Sequence, residues 1–226
     1  MKERPILFSA PMIQALLAGT KTQTRRAVKP QPVHAFAFIG RDDRPTGEFG
    51  LCLTHDRVVD KHVRCPYGQP GDRLYVKEKH AFLDVMKSAL SRFPLVGGGF
   101  GPDIWNLCVE YCDGTENDAF SVEGEKPRQT RERGEDRWRQ SIHMPRWASR
   151  ILLEITAVRV ERLQDISEAD ALAEGVNVHP DHQGKPRGSI YSPVQAYRDL
   201  WESINGPDAW AVNPWVWVVE FRRVVP

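Results

Sequence analysis

The chain has 226 residues, 41% of them hydrophobic, which suits one elaborated domain with a real core. Its 31 basic and 30 acidic residues leave a formal charge of +1, so binding nucleic acid by bulk charge alone is excluded, while a local basic patch is not. No run of about 18 apolar residues offers a membrane span, and residues 1–11 lack the charged, apolar and small-residue order of a secretory leader; a cytoplasmic protein is expected.

The first predicted element is a helix. Ser9 can cap it, Pro11 suits its first turn, and Met12, Ile13, Leu16 and Leu17 form one apolar stripe. Gly19 is a natural stop. Thr20-Lys21-Thr22-Gln23-Thr24-Arg25-Arg26 follows and reads as a short strand, or a turn and strand. Residues 29–70, rich in Pro and Gly, read as a loop with one or two hairpin strands. The turn Gly68-Gln69-Pro70-Gly71-Asp72 launches an alternating strand, Arg73 to Glu78.

Residues 80–142 are the least regular. Trp105, Leu107, Val109 and Tyr111 alternate as a strand. Lys126 to Arg139 carries six basic and three acidic residues with almost nothing apolar, and reads as a solvated, flexible segment. Pattern returns at His143-Met144-Pro145-Arg146-Trp147. Ile151, Leu153 and Ile155 alternate, then Val158 and Val160 continue out of phase, which predicts one long strand with a bulge near Ala157. Ser167 to Asp170 opens a short helix that stops at Gly175. Ser192-Pro193 opens another, with Tyr197, Leu200, Trp201 and Ile204 on its apolar face. The last strand, Trp215 to Arg222, sets Trp215, Trp217, Val219 and Phe221 on one face. Mostly sequential strands with few helices predict an α+β fold, a small mixed or antiparallel barrel with helices outside it.

Four features bear on chemistry. Lys21 and its neighbouring hydroxyls suit anion binding or acyl transfer, because a desolvated lysine releases its proton and can activate a threonine. Lys21 and Thr24 stand three apart, so a strict strand puts them on opposite faces. Composition alone favours a plainer account, an exposed edge strand with solvated charges. Glu174 closes a helix where the macrodipole disfavours a carboxylate, although, taken alone, a solvated glutamate on a frayed turn is the favoured account. Arg146, Trp147 and Arg150, with the basic run before them, suit phosphate pairing and base stacking, or else a core tryptophan beside a solvated loop. Gly71-Asp72 needs only to fix strand register. Cys52, Cys65, Cys108 and Cys112 show no paired spacing. With His55, His62 and His143 they sketch only a weak zinc pattern, and reduced thiols are the simpler account. No metal and no cofactor are expected.

Together these motifs resemble the ASCH family of the PUA-like superfamily. Leu17-Ala18-Gly19 with Lys21-Thr22-x-Thr24-x-Arg26 is similar to its opening signature, and Gly71-Asp72 with the following strand to its second. Ile151–Arg162 with Ile166 to Gly175 is similar to its third motif, and Val216–Phe221 to its last. The stretch His143 to Arg150 resembles ASCH-like proteins of phages and prophages. The family core is shorter, so roughly half of the chain is extra, which implies one domain over 1–226 with loop-rich insertions at about 30–65 and 80–142. The resemblance implies a PUA-like barrel whose cleft, centred on Lys21, Thr22, Thr24 and Arg26, accepts a nucleobase or nucleoside. In one branch, amidohydrolases that deacetylate N4-acetylcytidine use a lysine, a threonine and a glutamate, which match Lys21 as base, Thr24 as nucleophile and Glu174 as the group orienting or sharing the proton. Thr22, Arg26, Glu78, Arg146 and Trp147 are the candidate substrate contacts. The partner expected is a nucleoside or a nucleic acid, RNA or modified DNA, and no membrane. A binding module without catalysis is the alternative. A nuclease comes third, for want of a carboxylate or histidine cluster for two metals.

Overall fold

The computed structural model describes residues 1–39, 45–53, 61–84, 104–111, 120–123, 138–176 and 192–224. The described elements run β1 (Glu3–Leu7), α1 (Ala10–Leu17), β2 (Gln23–Ala27), β3 (His34–Ile39), β4 (Pro45–Cys52), β5 (Lys61–Arg64), β6 (Arg73–Lys77), β7 (His80–Asp84), β8 (Ile104–Tyr111), β9 (Phe120–Glu123), β10 (Leu152–Arg162), α2 (Glu168–Ala173), α3 (Pro193–Asn205) and β11 (Trp215–Val224). The fold is α+β and mostly strands, as expected. The expected barrel is not what the described strands make. They form open sheets in the orders β1-β6-β10-β11-β2, β3-β4-β5 and β7-β8-β9. In the five-stranded sheet β1 and β2 stand at opposite edges, so the sheet does not close on itself.

The chain divides into two compact units. The first holds residues 1–4, 11–74 and 151–226; the second holds 5–10 and 75–150. The insertion expected at 80–142 falls within the second. Much of the basic run 126–139 lies outside the described residues, as do His55 and Cys112.

In the first unit, β10 and β11 pair antiparallel with a register shift between Ile155 and Ala157, the bulge that the phase change of the apolar residues predicts. β11 then pairs with β2, Val219 opposite Thr24 and Trp217 opposite Arg26. Both faces of β11 are covered, since Val216 to Val219 are all buried. One face meets Tyr197 and Trp201 of α3 with Leu163, Ile166 and Ala171. On the other, Phe49 of β4 stands edge-on to Trp217, ring centroids 4.9 Å apart. A strand covered on both sides reads as a continuous apolar run, and β11 has one.

β1 was not legible as a strand because its neighbour supplies its order. The Asp72 carboxylate accepts from the Lys2 amide, Arg4 Nη1 (both at 2.8 Å) and the Gln69 amide. The Arg73 amide donates to the Lys2 carbonyl. The bond from Arg4 holds the Asp72 carboxyl below its ordinary range. In the second unit, Phe82, Val109, Tyr111, Met144 and Ala148 form the core. Among the described residues no helix is long and apolar enough to cross a membrane.

Candidate functional site

The segment after α1 carries the site because its backbone is held on both sides. Gly19 adopts φ +76° and ends the helix, while the Thr20 and Lys21 amides donate to the Ala15 carbonyl. The Thr22 amide donates to the Ala173 carbonyl at the end of α2, and the Thr22 carbonyl accepts from Phe221 of β11. Thr22, expected as a substrate contact, is exposed and serves through its backbone. It carries the extended chain from α1 into the sheet and sets Lys21 beside Glu174 in an isolated antiparallel bridge.

Alternation along this strand sorts its side chains. Lys21, Gln23 and Arg25 face α2 and α3. Thr24 and Arg26 share the opposite face with Val219 and Trp217. The charges are not solvated: the Lys21 and Arg25 side chains are fully buried and that of Glu174 is 3% exposed. β2 is an edge strand, but the account of solvated charges on it is overturned, and so is that of a frayed Glu174. Lys21 Nζ donates to Glu174 Oε2 at 2.9 Å and to the Glu174 carbonyl at 2.8 Å. It satisfies a carboxylate and the negative end of α2 together, which is why a glutamate is tolerated there. Ser167 caps the other end of α2, its hydroxyl accepting from the Asp170 amide.

Arg25 is the partner that sequence reasoning missed. Its Nη1 lies 3.2 Å from Glu174 Oε1, its Nη2 2.5 Å from Glu161 Oε1 and 3.4 Å from Asp170 Oδ2. Arg159 extends the network to Glu161, Asp170 and Glu220. Gln23 Nε2 donates to the Asp170 carbonyl. The signal was available: positions 21, 23 and 25 alternate, so one polar and two cationic side chains had to share a strand face. Their acidic partners lie about 140 residues or more further on and only the fold reveals them.

Burial dominates the electrostatics. It lowers the Lys21 pKa below its ordinary value, with Glu174 opposing the shift. Burial also holds the Tyr197 hydroxyl well above its ordinary range, and the Glu174 charge adds to this. At Asp170 burial disfavours the charge, yet the Ser167 hydroxyl and the charges of Arg159 and Arg25 outweigh it and keep the carboxyl low.

A small cavity of about 60 Å³ opens here, and Thr24, Arg26, Glu174 and Tyr197 are among its walls. Of the expected catalytic trio, the structure thus joins Lys21 to Glu174 directly and brings Thr24 and Glu174 to one cavity. Arg26 stands with them. Glu78, Arg146 and Trp147 belong to the second unit. Glu78 is buried and takes a two-pronged pair from Arg150, Nε–Oε1 3.0 Å and Nη2–Oε2 2.8 Å, so its evident role is structural. Arg146 lies over the Tyr75 ring at 5.3 Å, and Trp147, 42% exposed, stacks on Phe82 at 5.1 Å. Among the described residues no three His, Cys, Asp or Glu side chains gather as a metal site. Cys52 and Cys65 are buried free thiols, and burial pushes Cys65 up to about 11.

Comparison with known proteins finds no matching family model, no similar curated protein and no similar solved structure.

Proposed function

We propose that this chain is an ASCH-type amidohydrolase acting on an N4-acylated cytosine nucleoside. The observation that carries the reading is the buried Lys21–Glu174 pair beside a cavity walled by Thr24 and Glu174. An ion pair so deeply buried is costly to assemble, and removing the carboxylate strands the lysine. Such pairs with a shifted lysine are candidates for proton transfer.

Thr24 leaves β2 on the face away from α2 and α3, so the acyl group has to lie at the free edge of β2, where Thr24 and Glu174 both line the cavity. The Thr24 oxygen attacks the acyl carbon and gives up its proton. Lys21 leaves the strand on the other face, so the proton travels by way of Glu174, which touches both the cavity and Lys21 Nζ. A cavity of about 60 Å³ has room for about two waters or an acetyl group. The carbon–nitrogen bond breaks as the proton passes to the leaving amine. Water then cleaves the acyl-threonine, giving carboxylate and free cytosine nucleoside. The lowered pKa of Lys21 favours the neutral amine that accepts the proton.

The test is turnover of N4-acetylcytidine to cytidine, followed by chromatography. Lys21→Ala and Thr24→Ala are expected to abolish it, and Thr24→Ser to retain a part. Absence of turnover in the unaltered protein overturns the reading; full turnover in Thr24→Ala overturns the nucleophile.

A second reading, binding of single-stranded nucleic acid, is favoured by one observation in the second unit. Residues 138–150 contain Arg139, His143, Arg146 and Arg150 and no acid. Beside them Lys79 lies over the Trp138 ring at 5.7 Å and Arg139 over the Phe82 ring at 4.7 Å. Trp147, with Lys79 and Arg146, is exposed, and an exposed ring near exposed cations is what stacked bases and phosphates require.

A further inference from the structure

The 60 Å³ cavity holds an acyl group but not a nucleoside, whose pockets run to several hundred Å³. Two larger cavities are lined by described residues of the first unit. One, of about 340 Å³, is walled by α1, α3 and Gly175, and its only polar side chains are Gln14 and Thr20. It offers nothing to orient a polar ring. The other, of about 400 Å³, differs in kind. Val28, Leu51 and Val63 supply apolar wall, Tyr67 and Trp217 supply aromatic surface, and Lys29 and Arg64 supply positive charge.

Its place matters as much as its lining. Val28 continues the Thr24–Arg26 face of β2, and Trp217 pairs with Arg26 on that face. Ala27 lines both this cavity and the small one that Thr24 and Glu174 wall. Trp217 is buried and stands edge-on to Phe49, so its ring is fixed before any ligand arrives. Tyr67 feels the positive charge of Arg26, although burial is the larger influence on it and keeps its hydroxyl protonated. At the mouth the Arg64 side chain is 65% exposed, with Glu48 as partner at 2.9 Å. Lys29 is exposed as well. Among the described residues, two cations stand here against one acid.

We propose that this cavity is a binding site for a pyrimidine nucleoside monophosphate, its ring against Tyr67 and Trp217 and its phosphate at Lys29 and Arg64. The choice of base rests on the hydrolase reading; the need for a flat ring with an anionic end rests on the cavity alone. The phosphate displaces Glu48 from Arg64 or shares it, and Lys29 provides a second point charge. A free nucleoside fills the aromatic part and forgoes the rim.

The test is calorimetric titration of the full chain with cytidine 5′-monophosphate, with cytidine and with inorganic phosphate. The monophosphate is expected to bind more tightly than cytidine, and phosphate alone weakly. Arg64→Ala, at an exposed position, is expected to weaken the monophosphate about tenfold, the loss of one charge-assisted contact, with cytidine unaffected. Tyr67→Ala is expected to weaken both, and Tyr67→Phe, which keeps the ring, to spare both. No binding of the monophosphate at millimolar concentration overturns the site, as does binding that ignores both Arg64→Ala and Tyr67→Ala. These readouts need no turnover. Binding without hydrolysis of N4-acetylcytidine sinks the hydrolase and spares the site; hydrolysis without binding here does the reverse.

Discussion

Lys21 sits where a charged lysine is expensive, and Glu174 is what makes the position habitable. Glu174→Gln leaves Lys21 and one edge of Arg25 facing a neutral amide in a buried place. Such a loss costs about 3–5 kcal/mol, to be read as a lowered urea midpoint with unchanged slope. Lys21→Met is expected to cost less, because Arg25 still pairs Glu174. The pH dependence has a definite sign. Lys21 is depressed in the folded chain relative to its ordinary 10.5. Below its folded value both states carry the proton and the burial penalty is fully present. Between that value and 10.5 the unfolded chain holds more protons, so stability contributed by this residue rises with pH. Hydrolysis is expected to follow the neutral amine, rising with pH and levelling below 10.5. Lys21→Arg, which keeps the charge but cannot give up its proton, is expected to fold and to remain inactive across that range. An active arginine variant would remove Lys21 from the role of base.

At the scale of elements, the junction of α2 with the strand after α1 sets the site, and one glycine allows it. Gly175 adopts φ +80°, and a Cβ there would stand 2.8 Å from the Ala15 Cβ and 2.9 Å from the Lys21 Cβ. Gly175→Ala combines left-handed strain with overpacking, on the order of 3 kcal/mol together. Because the clash falls on Lys21 itself, turnover is expected to fall further than stability, measured as kcat/KM against the thermal midpoint. The same junction shows what was legible beforehand. The stop at Gly19, the Ser167 cap and the bulge before Ala157 are local signals, written within a few residues, and each stands where the pattern placed it. Glu174 closing α2 against the macrodipole was also visible. What makes that tolerable was not, since Lys21 lies 153 positions earlier. β1, ordered by Asp72, and Arg25, ordered by Glu161 and Asp170, escaped for the same reason. The barrel failed at this scale too, because strand count and alternation do not say whether the edge strands meet.

The whole molecule separates its charges into two populations, and salt tells them apart. In the first unit Lys21, Arg25 and Glu174 are buried and mutually paired, so counterions have little access to them. N4-acetylcytidine is neutral, and its hydrolysis is expected to be nearly flat from low to moderate salt. In the second unit Lys79 and Arg146 are exposed and Arg139 is half-buried, and the sequence from 138 to 150 contains no acid. A single-stranded oligonucleotide held there would release about 0.7 counterions per phosphate neutralised. With three cations engaged, the slope of log K against log salt should be about −2. Trp147→Ala should weaken this binding by roughly 1–3 kcal/mol, the worth of one stacked base, and leave the slope alone, since it removes a ring and no charge. Arg146→Ala should do the opposite, lowering the slope by about 0.7 whatever the base composition. Fluorescence titration of a labelled oligonucleotide at several salt concentrations measures both quantities at once. If the slope is near zero, the cations of the second unit are not meeting phosphates, and the basic, aromatic surface has a different partner or none. If the slope is steep but Trp147→Ala changes nothing, the strand is held by charge alone and Trp147 packs on Phe82 for the sake of the fold.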